Sequence, residues 1–250
     1  VLYPPTEAVK ELLAAGIKDH TAVHVGTLIA RQDVDVSISA DRIVSRHMAI
    51  LAMTGGGKTV ATRRIIRELI GIGYPLVIID PHGDYLGLWV KRALFPGTTV
   101  KLLYPHLAMT AENRGIVETL IFKMTEGLSE PQREVMSNTV NRTDPIPGEP
   151  VPRYIKRVYD ELGKQLGGKG QGKASLGPCR RKLAHILEHL QRMEETNGKM
   201  RSRLEGLEFE KMPDPKDRPD EIVSPNTVSI LYLGGYDHLT QTTIVSILLE

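Results

Sequence analysis

The chain has 250 residues, 41% hydrophobic and 25% charged, which suits one large α/β core or two modest domains and excludes wholesale disorder. Lys and Arg number 32 against 30 Asp and Glu, and the formal charge of +2 implies no nucleic-acid partner unless basic residues cluster locally. A single cysteine, Cys179, excludes an internal disulfide framework and fits a reducing cytoplasm, and no apolar run reaches the roughly 18 residues that a membrane span needs.

Tyr3-Pro4-Pro5-Thr6 reads as an extended lead-in, and Thr6 can cap a short helix over residues 7–15 that Gly16 ends. Residues 23–38 turn to β pattern, with strict alternation through Val34-Asp35-Val36-Ser37-Ile38. A short link, residues 41–46, leads into the apolar run Met48-Ala49-Ile50-Leu51-Ala52-Met53, whose length and composition predict a buried strand. A glycine cluster follows, then a helix from Lys58 to about Ile70, and then the buried strand Leu76-Val77-Ile78-Ile79 closed by Asp80-Pro81. Strand, helix and strand in so short a span make a βαβ unit and hence a mainly parallel sheet.

Val100-Lys101-Leu102-Leu103-Tyr104 reads as a further strand. From residue 107 to about 207 the pattern is helical and polar, with helices expected over 111–124, 130–140, 153–166 and 180–195. Pro-rich residues 144–152 and Gly/Lys-rich residues 163–177 are expected breaks, and residues 212–225 a linker. A β pattern returns at residues 228–233, followed by a helix from Thr240 that is still running at Glu250. The division expected is 1–40 as a β exit and linker, 41–106 as the first part of a sheet core, 107–225 as a helical insertion with a basic loop, and 226–250 as the return to the core.

Chemistry concentrates in Ala52-Met53-Thr54-Gly55-Gly56-Gly57-Lys58-Thr59, a phosphate-loop pattern in which Ala52 replaces the usual first glycine. Glycines let consecutive N–H groups curl around an anion without Cβ obstruction, and the following helix adds its positive dipole end. Thr54, Gly55, Gly56, Gly57, Lys58, Thr59 and Val60 are therefore the candidate ATP-binding residues. Lys58 can reach the β- and γ-phosphates, and the Thr59 hydroxyl can hold Mg²⁺. A second match, Gly167-Gly168-Lys169-Gly170-Gln171-Gly172-Lys173-Ala174, follows no buried strand and offers no hydroxyl, so it is not a nucleotide site. Asp80 ends a strand of a parallel sheet, where ligands bind, and can assist metal or water placement. The other reading of Asp80 is a turn former ahead of Pro81.

Ser45-Arg46-His47 with residues 48–59, followed by Asp80-Pro81-His82-Gly83-Asp84-Tyr85, resembles the HerA branch of the FtsK–HerA motor ATPases. Leu128-Ser129-Glu130-Pro131-Gln132-Arg133 and Leu233-Gly234-Gly235 with Gln241 resemble that family more loosely, and residues 23–38 are similar to the exit from its N-terminal β-barrel. The resemblance implies a RecA-like P-loop fold, a mainly parallel sheet carrying a helical insertion and the remnant of a barrel. It also implies a cytoplasmic homohexamer that hydrolyses ATP with Mg²⁺ to move double-stranded DNA. A partner nuclease or effector, in DNA processing or anti-phage defence, belongs to the same implication. The family's second carboxylate pair would follow the helix running at Glu250, and no apolar strand ending in Asp-Glu follows Thr59. Either the chain is cut short or hydrolysis is impaired.

Residues 163–182 carry Lys164, Lys169, Lys173, Arg180, Arg181 and Lys182 with no acidic residue, a charge that suits a phosphate backbone. Lys169, Lys173, Arg180 and Arg181 are the candidate DNA contacts, with a solvated loop as the alternative. Arg46 precedes the expected strand, too far from its own loop to touch the same nucleotide, and could act in trans on a neighbour's. Its alternative is a structural ion pair. Two other functions stay open: an ATP-bound ring scaffold that docks an effector, and a conjugation or secretion ATPase.

Overall fold

A computed structural model describes residues 4–46, 48–53, 55–105, 109, 114–125, 127–167, 173–213 and 218–249. In chain order the elements are α1 (Thr6–Ala14), β1 (Ala22–Leu28), β2 (Arg31–Ser39), α2 (Ala40–Ser45), α3 (Lys58–Ile72), β3 (Leu76–Asp80), α4 (Leu86–Val90) and β4 (Thr99–Tyr104). They continue with α5 (Arg114–Met124), α6 (Glu130–Arg142), α7 (Val151–Gly167), α8 (Lys173–Ser202), β5 (Phe209–Lys211), α9 (Pro219–Ile222), β6 (Thr227–Tyr232) and α10 (His238–Leu249). The class is α/β, with a mainly parallel four-stranded sheet in the order β3-β6-β4-β5. β1 and β2, expected as the exit of a barrel, pair antiparallel in a two-stranded sheet of their own.

Contacts divide the chain into two units. The first comprises Val1–Ile78, Asp84–Lys101 and Val223–Ser229. Its core joins Val23 and Ala40 to Ile65 and Leu69 of α3, with Ile38, Ile50 and Leu76 packed around them. Ile65, Ile66, Leu69 and Ile70 recur at helical spacing, which is why α3 lays one face on β1. Gly73 stops the helix at φ 89°, where its N–H bonds the Ile70 C=O while Tyr74 N–H bonds the Leu69 C=O.

The second unit comprises Ile79–Gly83, Leu102–Ile222 and Ile230–Glu250. Helices α5 to α8 share a core that includes Met136, Val140, Tyr154, Ile155, Val158, Leu162, Cys179, Leu183 and Ile186. A second cluster gathers Leu103, Met212, Ile222, Leu231, Leu233 and Ile244. Every residue of β6 is buried, as a strand covered on both faces requires.

Several expectations are corrected. The strand expected over residues 48–53 does not form; Leu51 is 91% and Met53 88% exposed. A strand needs a paired neighbour for its N–H and C=O groups, and among the described residues none lies alongside this run. Within the break expected over 163–177, residues 163–167 continue α7 and residues 173–177 belong to α8, while residues 168–172 lie outside the described residues; the helix expected from residue 180 begins at Lys173 and continues to Ser202. Gly177 and Pro178 do not end it, because Leu176, Cys179, Leu183, Ile186 and Leu190 form one buried stripe through that point. The link over 41–46 is mostly α2, and the expected linker over 212–225 contains α9. Two short elements, α4 and β5, went unsignalled, and β5 pairs parallel with β4. Residues 111–113 of the expected first insertion helix lie outside the described residues.

Ile155 is wholly buried in the helical core. Ile155→Ala should cost about 2–5 kcal/mol of stability, read as a lowered urea midpoint. An unchanged midpoint would mean that α7 contributes no packing to the folding unit.

Candidate functional site

The loop before α3 owes its shape to three consecutive glycines with different duties. Gly55 and Gly57 hold φ of 80° and 81°, a left-handed backbone that side chains resist. Gly56 instead serves by its size: a Cβ there would meet the Met53 carbonyl oxygen at 3.0 Å and the Ala52 Cβ at 3.2 Å. Gly56 N–H also donates to that Met53 carbonyl at 2.9 Å, closing the turn. Gly57 is the N-cap of α3 and offers no side-chain cap, so the first N–H groups of the helix remain donors.

An open cleft of about 430 Å³ lies over this turn, lined by Ala52, Met53, Gly55, Gly57, Lys58, Thr59 and Val60. Its size falls in the range of small-ligand sites. The structure thus brings together Gly55, Gly57, Lys58, Thr59 and Val60, adds Ala52 and Met53 from the same turn, and holds Gly56 beneath them. Thr54 lies outside the described residues. The lining suits an anion bearing phosphates: backbone donors at a helix start, one lysine and one hydroxyl. Among the described residues no three His, Cys, Asp or Glu side chains could hold a metal together.

Asp80 is fully buried at the carboxyl end of β3. Its Oδ1 accepts the Gly83 N–H at 2.8 Å, and Gly83 adopts φ 85°. Asp-Pro-His-Gly is therefore a turn closed by its own first side chain, with Pro81 fixing one backbone angle and Gly83 allowing the next. The Asp80 carbonyl accepts Leu233 N–H at 2.9 Å, which ties the turn to the end of β6. Arg63 of α3, whose role no motif signals, donates to the Asp84 carbonyl in a short hydrogen bond.

Residues 23–250 match the sequence model of the family described as Helicase HerA, central domain. The chain belongs to this family. Relatives of this HerA-type chain include a DNA double-strand break repair helicase HerA of Pyrococcus furiosus, 40% identical over 73 residues, which are 29% of this chain and 13% of the relative. A probable DNA double-strand break repair helicase HerA of Methanocaldococcus jannaschii is 40% identical over 67 residues, 27% of this chain and 13% of the relative. A probable helicase of the same organism is 38% identical over 104 residues, 40% of this chain and 20% of that relative. The chain matches only a fraction of the length of these relatives. Among the described residues of the HerA-type chain, no helix is long and apolar enough to cross a membrane.

The remaining sequence candidates are dispersed. Arg46 follows α2, is exposed, and lines a separate groove with Leu12, Ile17, Ile38, Arg42 and Met48 rather than the glycine-loop cleft. Lys169 lies outside the described residues, and Lys173 opens α8. Arg181 is exposed, whereas the Arg180 guanidinium lies 4.4 Å over the Tyr159 ring, between α8 and α7. Lys182 donates to the Thr125 carbonyl at 3.2 Å.

Past β6, Asp237 caps α10: its Oδ1 accepts Thr240 N–H at 2.8 Å and its Oδ2 meets Nε2 of His189 from α8 in a short contact. Burial raises this carboxyl's pKa, but the bonds from Thr240 and His189 outweigh it and hold it below the ordinary value. A depressed folded pKa contributes stability above the unfolded value of about 3.9, and that contribution is lost as pH falls through the folded value. Asp237→Asn should therefore flatten the decline of the urea midpoint below about pH 4. An acid limb identical to that of the unaltered chain would show that the cap contributes nothing to acid sensitivity.

Proposed function

We propose that this chain is the ATP-hydrolysing part of a DNA translocase or helicase of HerA type. It works in the cytoplasm as a homohexamer on double-stranded DNA, with a partner nuclease or effector. The observation that carries the reading is the glycine loop, where two left-handed glycines and one sterically required glycine open onto a cleft lined by Lys58 and Thr59. Membership of the HerA family supports the choice of DNA as the substrate on which the motor acts.

In this reading the N–H groups of residues 55–58 cradle the phosphates, and Lys58 neutralises charge that grows on the γ-phosphoryl oxygens. The Thr59 hydroxyl would hold Mg²⁺, which would supply further positive charge to the phosphates. Water attacks the γ-phosphorus in line, and the bond to the β–γ bridging oxygen breaks. Asp80 keeps the turn after β3 in place and assists metal or water placement. Arg181, with Lys169 and Lys173, contacts the DNA backbone.

Lys58→Ala removes the direct cationic partner of the γ-phosphate and should lower ATP turnover by about 10²–10³-fold. Turnover within twofold of the unaltered chain would sink the phosphate-loop assignment. Arg46, exposed and outside its own loop's cleft, serves a neighbour's nucleotide in this reading. Mixing Arg46→Ala subunits with Lys58→Ala subunits should then restore part of the ATPase lost by each alone. Rings proven to be mixed yet still inactive would leave Arg46 as scaffold.

A further inference from the structure

The hairpin of β1 and β2, wholly within the first unit, carries matching features at its two ends. At the turn, Leu28 pairs with Arg31 and leaves Ile29 at the tip, 99% exposed. The next pair is Thr27 with Asp35, so Gln32, Asp33 and Val34 loop out of the ladder as a bulge. Val34 is buried, whereas Gln32, Asp33 and Asp35 are exposed. Asp35 lies 3.9 Å from Nδ1 of His24, and among the described residues Asp33 has no partner. Nη1 of neighbouring Arg31 is buried. The tip is therefore an apolar point with an unpaired carboxylate beside it.

The other end of β2 opens on the groove that holds Arg46. Leu12 of α1, 76% exposed, makes its apolar part with Ile17, Ile43 and Met48. Arg42 and Arg46, a helical turn apart on α2 and its C-cap, supply its charge, and no acidic residue lines it. Gly16 gives the Arg42 guanidinium its place, since a Cβ there would meet Nη2 at 3.3 Å. Among the described residues neither arginine has an ion-pair partner. The volume of about 460 Å³ leaves ample room for one aliphatic side chain.

A lone exposed isoleucine is ordinary on a protein surface. Here the tip and the groove match in apolar character and in opposite sign of charge. A chain cannot fill its own groove with its own tip, because the nine residues of β2, at about 3.3 Å each, hold them roughly 25 Å apart. We propose that the hairpin tip of one copy seats in the groove of the next: Ile29 packs against Leu12, Ile43 and Met48, and the Asp33 carboxylate meets Arg42. Tip and groove are different surfaces, so each contact leaves one of each free, and repetition closes into a ring where the rotation allows. The inference deepens the homohexamer reading above and rests on it.

The test is sedimentation velocity of the full chain over a concentration series, with thermal melts of each variant. The altered positions are all exposed, so the variants should fold, and Arg46 is left untouched. Arg42→Glu, Asp33→Arg and Ile29→Asp should each weaken self-association about tenfold, and the charge swap Arg42→Glu with Asp33→Arg should return it to within about threefold. Arg42→Glu keeps a sound tip and Ile29→Asp a sound groove. Mixed at a concentration where each alone is monomeric, they should form a heterodimer that grows no further. Folded variants that assemble like the unaltered chain overturn this inference and leave the homohexamer reading standing. No recovery in the charge swap, or no heterodimer in the mixture, overturns it equally. An unaltered chain that is monomeric at every concentration overturns both.

Discussion

The N–H groups in the first turn of any α-helix have no partner within their own helix and must find one elsewhere. In α3 that need falls on a cap, Gly57, that has no side chain to meet it. The donors therefore face outward at the mouth of a cleft, and everything nearby keeps them there. Gly55 and Gly57 bend the chain where a side chain would resist, and Gly56 lets the backbone fold back over Met53. Ile65 and Leu69 then anchor the helix against the hairpin of β1 and β2, so the open end is held by a buried far end. An anion at the loop would complete hydrogen bonding that the Gly57 cap leaves unfinished.

This part of the molecule was legible in advance because it is local. Left-handed backbone favours glycine, and the helix that follows immediately places Lys58 and Thr59 in its first turn. The run Met48–Met53 was misleading for the opposite reason. Apolar residues indicate a preference for burial, but a strand also needs a neighbour, which lies in no property of the run itself. Helix α8 shows the same limit with the sign reversed: Gly177-Pro178 argues for an end, and the buried stripe on both sides of it overrules that argument. The Asp80 turn was half legible. Its residue types announce a tight turn at a strand end, while the burial of the carboxylate and its bond to Gly83 are visible only in three dimensions.

Charge was the least legible property. Residues 163–182 read as a basic stretch, yet much of its charge is spent inside the second unit. Arg180 covers the Tyr159 ring, Lys182 bonds the Thr125 carbonyl, and Lys164 pairs with Glu161. Elsewhere Arg157 donates to the nearly buried Glu149 at 2.6 Å, and Arg114 to the Val140 carbonyl at 2.6 Å. Long cationic side chains reach across helix junctions and terminate carbonyls there, a use that a count of charges cannot separate from a surface meant for DNA.

Cys179 sits in the core of the helical unit, with its thiol donating to the Gln132 carbonyl at 3.3 Å, and burial pushes its pKa up. A thiol that is both covered and protonated is a poor nucleophile. Because it is the single cysteine of the chain, the folded protein should react with maleimides only slowly. A cysteine introduced at an exposed position such as Arg181 would therefore take up a fluorophore alone, without removal of the native one. The same shielding ties modification of Cys179 to opening of the helical core, so its rate would report how far that core opens.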